Sequence, residues 1–154
     1  MGLNRDTVGR SYDPGPPFDV SRQKIREFAA AIGDEAPVYG DVELARSLGH
    51  RDVPAPPTFG SVISLEMGQG PRRDPEGGID YSRIVHGEQR IEQERPIYAG
   101  DTLVGEVTIA SITERGANEL IEILCALATE DGEPVCRVTS VLVSRGTAPG
   151  VDHG

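Results

Sequence analysis

Apolar residues recur at Ile25, Phe28, Ala29 and Ile32, the i, i+3, i+4, i+7 spacing that turns one face of a helix toward a core. Ser21 stands ahead of them as an N-cap, and Gly33 behind them is the residue type best able to take the left-handed C-terminal conformation. Asp41 predicts a second cap, for a short helix that turns Leu44, Ala45 and Leu48 inward and stops at Gly49. His50 to Pro57 reads as a loop. From Thr58 to about Gly70 the pattern changes, because Phe59, Val62, Ile63, Leu65 and Met67 point in almost every direction. A helix apolar nearly all round predicts a buried one, wrapped by a sheet. Gly60 and Gly68 lower its helix propensity by roughly 1 kcal/mol each, which is tolerated where backbone must approach a strand or a ligand closely.

The second half reads as four strands. Ile84–Glu94 is polar for a strand, which predicts a wet face, an edge or a subunit contact. Pro96 and Gly100-Asp101 mark the turn into Thr102–Thr113. Arg115 to Asn118 makes the next turn, into the hydrophobic run Glu119–Thr129. Asp131-Gly132 is a hairpin signal that returns the chain through Val135–Arg145. Residues 1–19, with three prolines, predict an extended lead-in, and 71–78 a mobile polar excursion. Residues 1–146 are expected to form one domain, followed by a disordered tail over 147–154. Helices first and an antiparallel run of strands afterwards is an α+β pattern.

Length and charge narrow the function. The 154 residues suit a single core. A formal charge of −10 excludes the basic surface that nucleic acid needs and a polybasic membrane anchor. No apolar run approaches the 18 residues of a membrane span, and the first residues carry no hydrophobic signal region, so a cytoplasmic protein is expected. Cys125 and Cys136 lie on the arms of one predicted hairpin; reduced, buried thiols are expected. Neither cysteine has the spacing or the His partners of a zinc site, and no metal is expected. No phosphate loop or Ser elbow is present.

The chemistry concentrates between Ile32 and Asp41. Gly33-Asp34-Glu35-Ala36-Pro37-Val38-Tyr39-Gly40-Asp41 resembles the active-site loop of MaoC-like (R)-specific enoyl-thioester hydratases and dehydratases, Gly-Asp-x-Asn-Pro-x-His-x-Asp. Gly33, Asp34, Pro37 and Asp41 match, whereas Ala36 stands in place of Asn and Tyr39 in place of the catalytic His. The resemblance extends over the Tyr12-to-Ile32 lead-in, Ala55-Pro56-Pro57-Thr58-Phe59, and Arg95 to Leu103 with its Pro-x-x-x-Gly-Asp turn. It implies a hot-dog fold, an antiparallel sheet wrapped around the Thr58–Gly70 helix. It also implies a substrate that is an acyl-carrier-protein or acyl-CoA thioester. No separate organic cofactor is implied, because pantetheine arrives as part of the substrate.

In the family pattern the Asp and the His five residues later hold the water or hydroxyl between them. A phenol of ordinary pKa near ~10 is ionised to about one part in a thousand at pH 7, so Tyr39 is a poor substitute for imidazole. The chain is similar to the companion subunit of actinobacterial (3R)-hydroxyacyl-carrier-protein dehydratases, which lacks the His and helps bind the acyl chain. That likeness implies an accessory, substrate-binding role in fatty-acid or mycolic-acid metabolism, beside a His-containing MaoC-like chain. A homodimer that binds or senses acyl thioesters without turnover is the alternative. Substrate contacts are expected at Pro57, Thr58, Phe59 and Gly60, where N–H groups opening the buried helix can face a carbonyl oxygen. His86 reads either as a pocket or partner-facing residue or as an ordinary strand histidine. Glu66, a carboxylate on the central helix, keeps open a thioesterase that activates water, and on an apolar helix it needs a partner or solvent. Asp34 alone is a weak base, and Asp41 reads as a helix cap.

Overall fold

A computed structural model describes residues 2–150. The predicted first helix is α1, Arg22–Ala31, and the Ser21 side chain accepts a hydrogen bond from the Lys24 N–H. Ile25 and Ala29 are buried, and Phe28 packs edge-on against Phe59 with 5.4 Å between ring centroids. Ile32 is 49% exposed, contrary to its place in the apolar spacing. The helix ends one residue before it, so Ile32 occupies the cap rather than the buried face. Gly33 then takes φ +72°, the left-handed turn expected of it. α2 spans Val42–Ser47, and Asp41 caps it by accepting from the N–H groups of Glu43 and Leu44. So short a helix turns only Ala45 fully into the core, and Leu48, at its C-cap, is 62% exposed rather than inward.

The long apolar helix is divided. α3 is Gly60–Met67 and α4 is Gln69–Arg73. The break falls at Gly68, where a side chain would come within 2.6 Å of the Ser64 carbonyl oxygen. Ile63 and Met67 are buried, but Leu65 is 73% exposed, so the chain by itself leaves one side of this helix uncovered. The excursion expected to be mobile is tied down. Pro71 is buried within α4, and Asp74 accepts hydrogen bonds from Arg10 and from the Tyr12 hydroxyl, each at 2.8 Å.

The N-terminal lead-in also departs from a simply extended chain. After a 3₁₀ turn at Arg5–Thr7, the strands β1 (Ser11–Tyr12) and β2 (Phe18–Asp19) both pair with β4 (Thr102–Arg115). Strands of two residues are too short to show a period. The four long strands match expectation within a few residues: β3 Ile84–Gln93, β4, β5 Asn118–Thr129 and β6 Pro134–Ser144. They form one antiparallel sheet in the order β1-β4-β5-β6-β3, with β2 beside β4. β3 therefore lies at an edge, which explains its polarity. β5 alternates buried and half-buried residues along its length, the mark of a strand with one face on the core. Thr147 and Ala148 are buried, and the Ala148 N–H reaches the Ala117 carbonyl, so the chain is packed past the point where a disordered tail was expected. The last four residues of that tail, 151–154, lie outside the described residues.

α3 packs on β6 and β4, and glycine sets how close it comes. A Cβ on Gly60 would lie 3.0 Å from Cys136 Sγ and 3.3 Å from a Val138 methyl. Gly60→Val adds two further carbons in that gap and is expected to destabilise the fold by about 1–3 kcal/mol. A lower urea midpoint with an unchanged slope would show it. Cys125 and Cys136 are buried and free; burial pushes their thiols up to about 12 and about 11, which makes them packing groups rather than nucleophiles.

Candidate functional site

The loop between α1 and α2 is held by its own backbone. Gly33 N–H bonds the Ala30 carbonyl and Asp34 N–H the Ala29 carbonyl, at 3.1 and 2.9 Å. The Asp34 carboxylate then accepts from the Ala36 N–H at 3.3 Å. Pro37–Tyr39 forms a 3₁₀ turn that carries Tyr39 back toward Asp34. Both side chains line a hollow of about 280 Å³, together with Arg26, Ala29 and Pro37. Burial raises the Tyr39 phenol above its ordinary pKa, and the negative charge of the nearby Asp34 carboxylate raises it further. A raised phenol holds its proton at neutral pH, so Tyr39 can donate to a bound oxygen but cannot accept a proton from one.

A second and larger hollow, about 420 Å³, runs between α3 and the sheet. Ser61 and Leu65 of α3, Tyr81, His86 of β3, and Ser140 and Leu142 of β6 are among the residues that wall it. Its walls are largely apolar with a few convergent polar groups, the make-up of a small-molecule site. The register of β3 against β6 shifts between His86 and Glu88. The shift falls at Gly87, where there is no room for a side chain because a Cβ would meet a Val143 methyl at 2.9 Å, and such irregularities re-aim side chains at sites.

The expected site residues therefore divide. Asp34 and Tyr39 share one hollow and His86 lines the other. Phe59 and Gly60 are buried where α3 meets the sheet, while Pro57 and Thr58 are exposed. The Thr58 carbonyl accepts from the Ser61 hydroxyl at 2.6 Å. The hollow at the Asp34 loop and the groove at His86 share no lining residue. Glu66 faces away from the larger hollow, exposed and beside Tyr12, Pro14 and Arg73, so solvent satisfies it. Ser61, Arg72, Tyr81 and Ser140 had no signal in the sequence, because they come from α3, α4, the turn after α4 and β6, and only the fold brings these together. No group of three or more His, Cys, Asp or Glu side chains among the described residues is placed to hold a metal ion. No described helix is long and apolar enough to cross a membrane.

Sheet, central helix and loop together define a hot-dog protein of the dehydratase class. The model of the FAS1-like dehydratase domain region matches residues 6–138, and the chain belongs to that family. A UPF0336 protein of Parafrankia sp. (strain EAN1pec) is 50% identical over 150 residues, 97% of this chain and 99% of that one. The C-terminally truncated HadBC (3R-hydroxyacyl-ACP dehydratase) complex from Mycobacterium tuberculosis contains a similar chain, with a TM-score of 0.82 and 28% identity over 92% of this chain and 99% of that chain. A MaoC-like dehydratase is similar at TM-score 0.84 and 31% identity, over 94% of this chain and 45% of that one. The MaoC-like resemblance read from the sequence is thus correct, and so is the fold it implied.

Proposed function

We propose that this chain is the accessory, substrate-binding partner in an (R)-specific β-hydroxyacyl-thioester dehydratase or enoyl hydratase. A second MaoC-like chain supplies the Asp and His, and the pair works in cytoplasmic fatty-acid or mycolic-acid metabolism. The observation that carries this reading is Tyr39, a protonated phenol beside Asp34 where the family pattern has its proton acceptor. Three features support it. The likeness to a chain of the HadBC complex is consistent with pairing, as is a MaoC-like dehydratase more than twice as long as the matched region. The exposed Leu65 on α3 and the unpaired edge of β3 leave apolar surface and backbone groups for a partner to cover. The apolar groove between α3 and the sheet suits an acyl chain. Hydration and dehydration need a group that both takes and returns a proton, and the partner's imidazole meets that need.

Tyr39→Phe in the assembled pair tests this. The variant removes the hydroxyl and keeps the ring, so hydration of crotonyl thioester is expected to stay within about threefold of wild type, the loss of one hydrogen-bond donor. A loss of a hundredfold or more would make Tyr39 the acid or base and sink the accessory role.

A further inference from the structure

An irregular step in β3 brings polar side chains together in the groove. In a regular strand, residues three apart face opposite sides of the sheet. His86 and Gln89 nevertheless both wall the groove, because the register against β6 shifts between His86 and Glu88 and Gly87 takes the extra place. His86 then stands opposite Leu142, and Gln89 opposite Ser140. Residues paired across two strands share a face, and Leu142 and Ser140 wall the groove as well. One inserted glycine thus sets an imidazole, a carboxamide and a hydroxyl on the same side.

Other polar groups of the groove are already engaged. The Ser61 and Ser64 hydroxyls donate to the carbonyls of Thr58 and Ser61, and the Gln69 amide donates to that of Leu65. Arg72, the only formally charged side chain in the lining, lies over the Tyr81 ring at 4.7 Å. Among the described residues, the side chains of His86, Gln89 and Ser140 make no hydrogen bond. His86 and Gln89 are exposed and Ser140 is half-buried, so water serves all three while the groove is empty. The apolar wall beside them is Val62, Leu65, Leu142 and the buried Ile123. A plain alkyl chain laid along that wall displaces the water and leaves the three groups without partners, which is costly for each. A chain with an oxygen at the same depth gives them one.

We propose that His86, Gln89 and Ser140 select an acyl chain that bears an uncharged oxygen, as a hydroxyl or a ketone, on a carbon beyond the reacting β-position. The inference deepens the acyl-thioester reading of the groove and rests on it. On that reading the partner's Asp and His handle the reacting oxygen, which leaves this triplet for a second one. A neutral imidazole, a carboxamide and a hydroxyl each offer both donor and acceptor, so the triplet serves a hydroxyl or a carbonyl. It holds no fixed charge that would call for a carboxylate or phosphate. Sites of this kind discriminate strongly, because the analogue that lacks the oxygen leaves their polar groups unmet.

Equilibrium dialysis of the full chain, with any partner chain that co-purifies, tests the triplet. The probes are decanoyl-CoA and two series of isomers, hydroxydecanoyl-CoA and oxodecanoyl-CoA, with the oxygen moved one carbon at a time from the δ-carbon to the chain end. At least one isomer is expected to bind about tenfold tighter than decanoyl-CoA, the scale of one or two hydrogen bonds. Which series contains it decides between hydroxyl and ketone. His86→Leu, Gln89→Leu and Ser140→Ala are each expected to cut that preference at least about threefold, while decanoyl-CoA binds as tightly as before or tighter. The opposite movement of the two probes separates selection from a loss of fold. The proposal is overturned if no isomer binds better than decanoyl-CoA, or if all three variants keep the preference. It is also overturned if the variants weaken every thioester alike, since the residues would then contact the shared pantetheine arm or only support the wall. If the wild type binds neither decanoyl-CoA nor any isomer, the thioester reading itself falls.

Discussion

Assayed alone, the chain is expected to hydrate crotonyl thioester at least about a thousandfold more slowly than the same chain paired with a His-bearing MaoC-like partner. The figure comes from two sides. A positioned acid/base group contributes about 10² to 10⁴ in rate. An unperturbed phenol offers its basic form in about one molecule in a thousand at pH 7, and both burial and Asp34 push Tyr39 in the unfavourable direction. The sign gives a second reading of the same experiment. If the isolated chain has residual activity through Tyr39, the phenolate population rises about tenfold per pH unit up to its raised pKa. The rate must then climb with alkalinity between pH 7 and 9. An imidazole of ordinary pKa is already largely unprotonated there, so the paired enzyme should be nearly flat in base demand over the same range. Water addition by the isolated chain at an ordinary enzymic rate with a flat profile would mean that another group in this chain does the work, and the accessory role would be lost.

The sequence carried the loop more fully than the groove. Ser21, Gly33 and Asp41 act through their own neighbours in the chain, and local rules suffice for such residues. The order of the four long strands' segments was equally legible, since hairpin turns and alternation are short-range signals. Leu48 and Leu65 were misjudged because apolar character gives no direction, and their exposure depends on how much of each helix the sheet covers. The split at Gly68 reflects a contact with the carbonyl of Ser64 four residues earlier, which a propensity scale treats only as an average loss. β1 and β2 were missed because two residues cannot show a period. The larger groove was not legible at all: it exists because β3 returns to pair with β6 rather than with its chain neighbour β4. Asp34 and Tyr39 could be found from a motif, but their distance from His86 is a fact of topology.

That separation is consistent with a site completed by another chain. The hollow of the Asp34 loop is small and open at the surface, and it shares no lining residue with the groove. The groove has apolar walls but lacks an assembled acid/base pair. A partner that contributes a complete loop, while this chain contributes apolar walls, would use both features without asking Tyr39 to do chemistry. In such a chain the groove depends on the contacts that hold its walls in place.

Asp101 is the residue on which that support depends most, and Asp101→Ala is expected to lower stability by about 3–5 kcal/mol. Its side chain is 2% exposed. One oxygen accepts from Arg95 Nη1 and from the Tyr98 N–H, both at 2.8 Å, and the other from Arg95 Nη2 at 3.1 Å and from Arg51. Removing the carboxylate leaves the Arg95 guanidinium, itself only 17% exposed, without its main counter-charge and Tyr98 N–H without an acceptor. The damage would travel. The turn held by Asp101 bonds Val20 on one side, through Gly100 N–H and the Asp101 carbonyl, and Val53 and Ala55 on the other, through Ala99 N–H and the Ile97 carbonyl. Those bonds fix the chain on its way into α3. Arg51→Ala provides the contrast: Arg51 is 55% exposed, and its loss is expected to cost no more than about 1 kcal/mol. Urea unfolding of the two variants should therefore separate them by at least about 2 kcal/mol. Equal and small losses would show that Arg95 finds other partners and that the turn is held by its backbone alone.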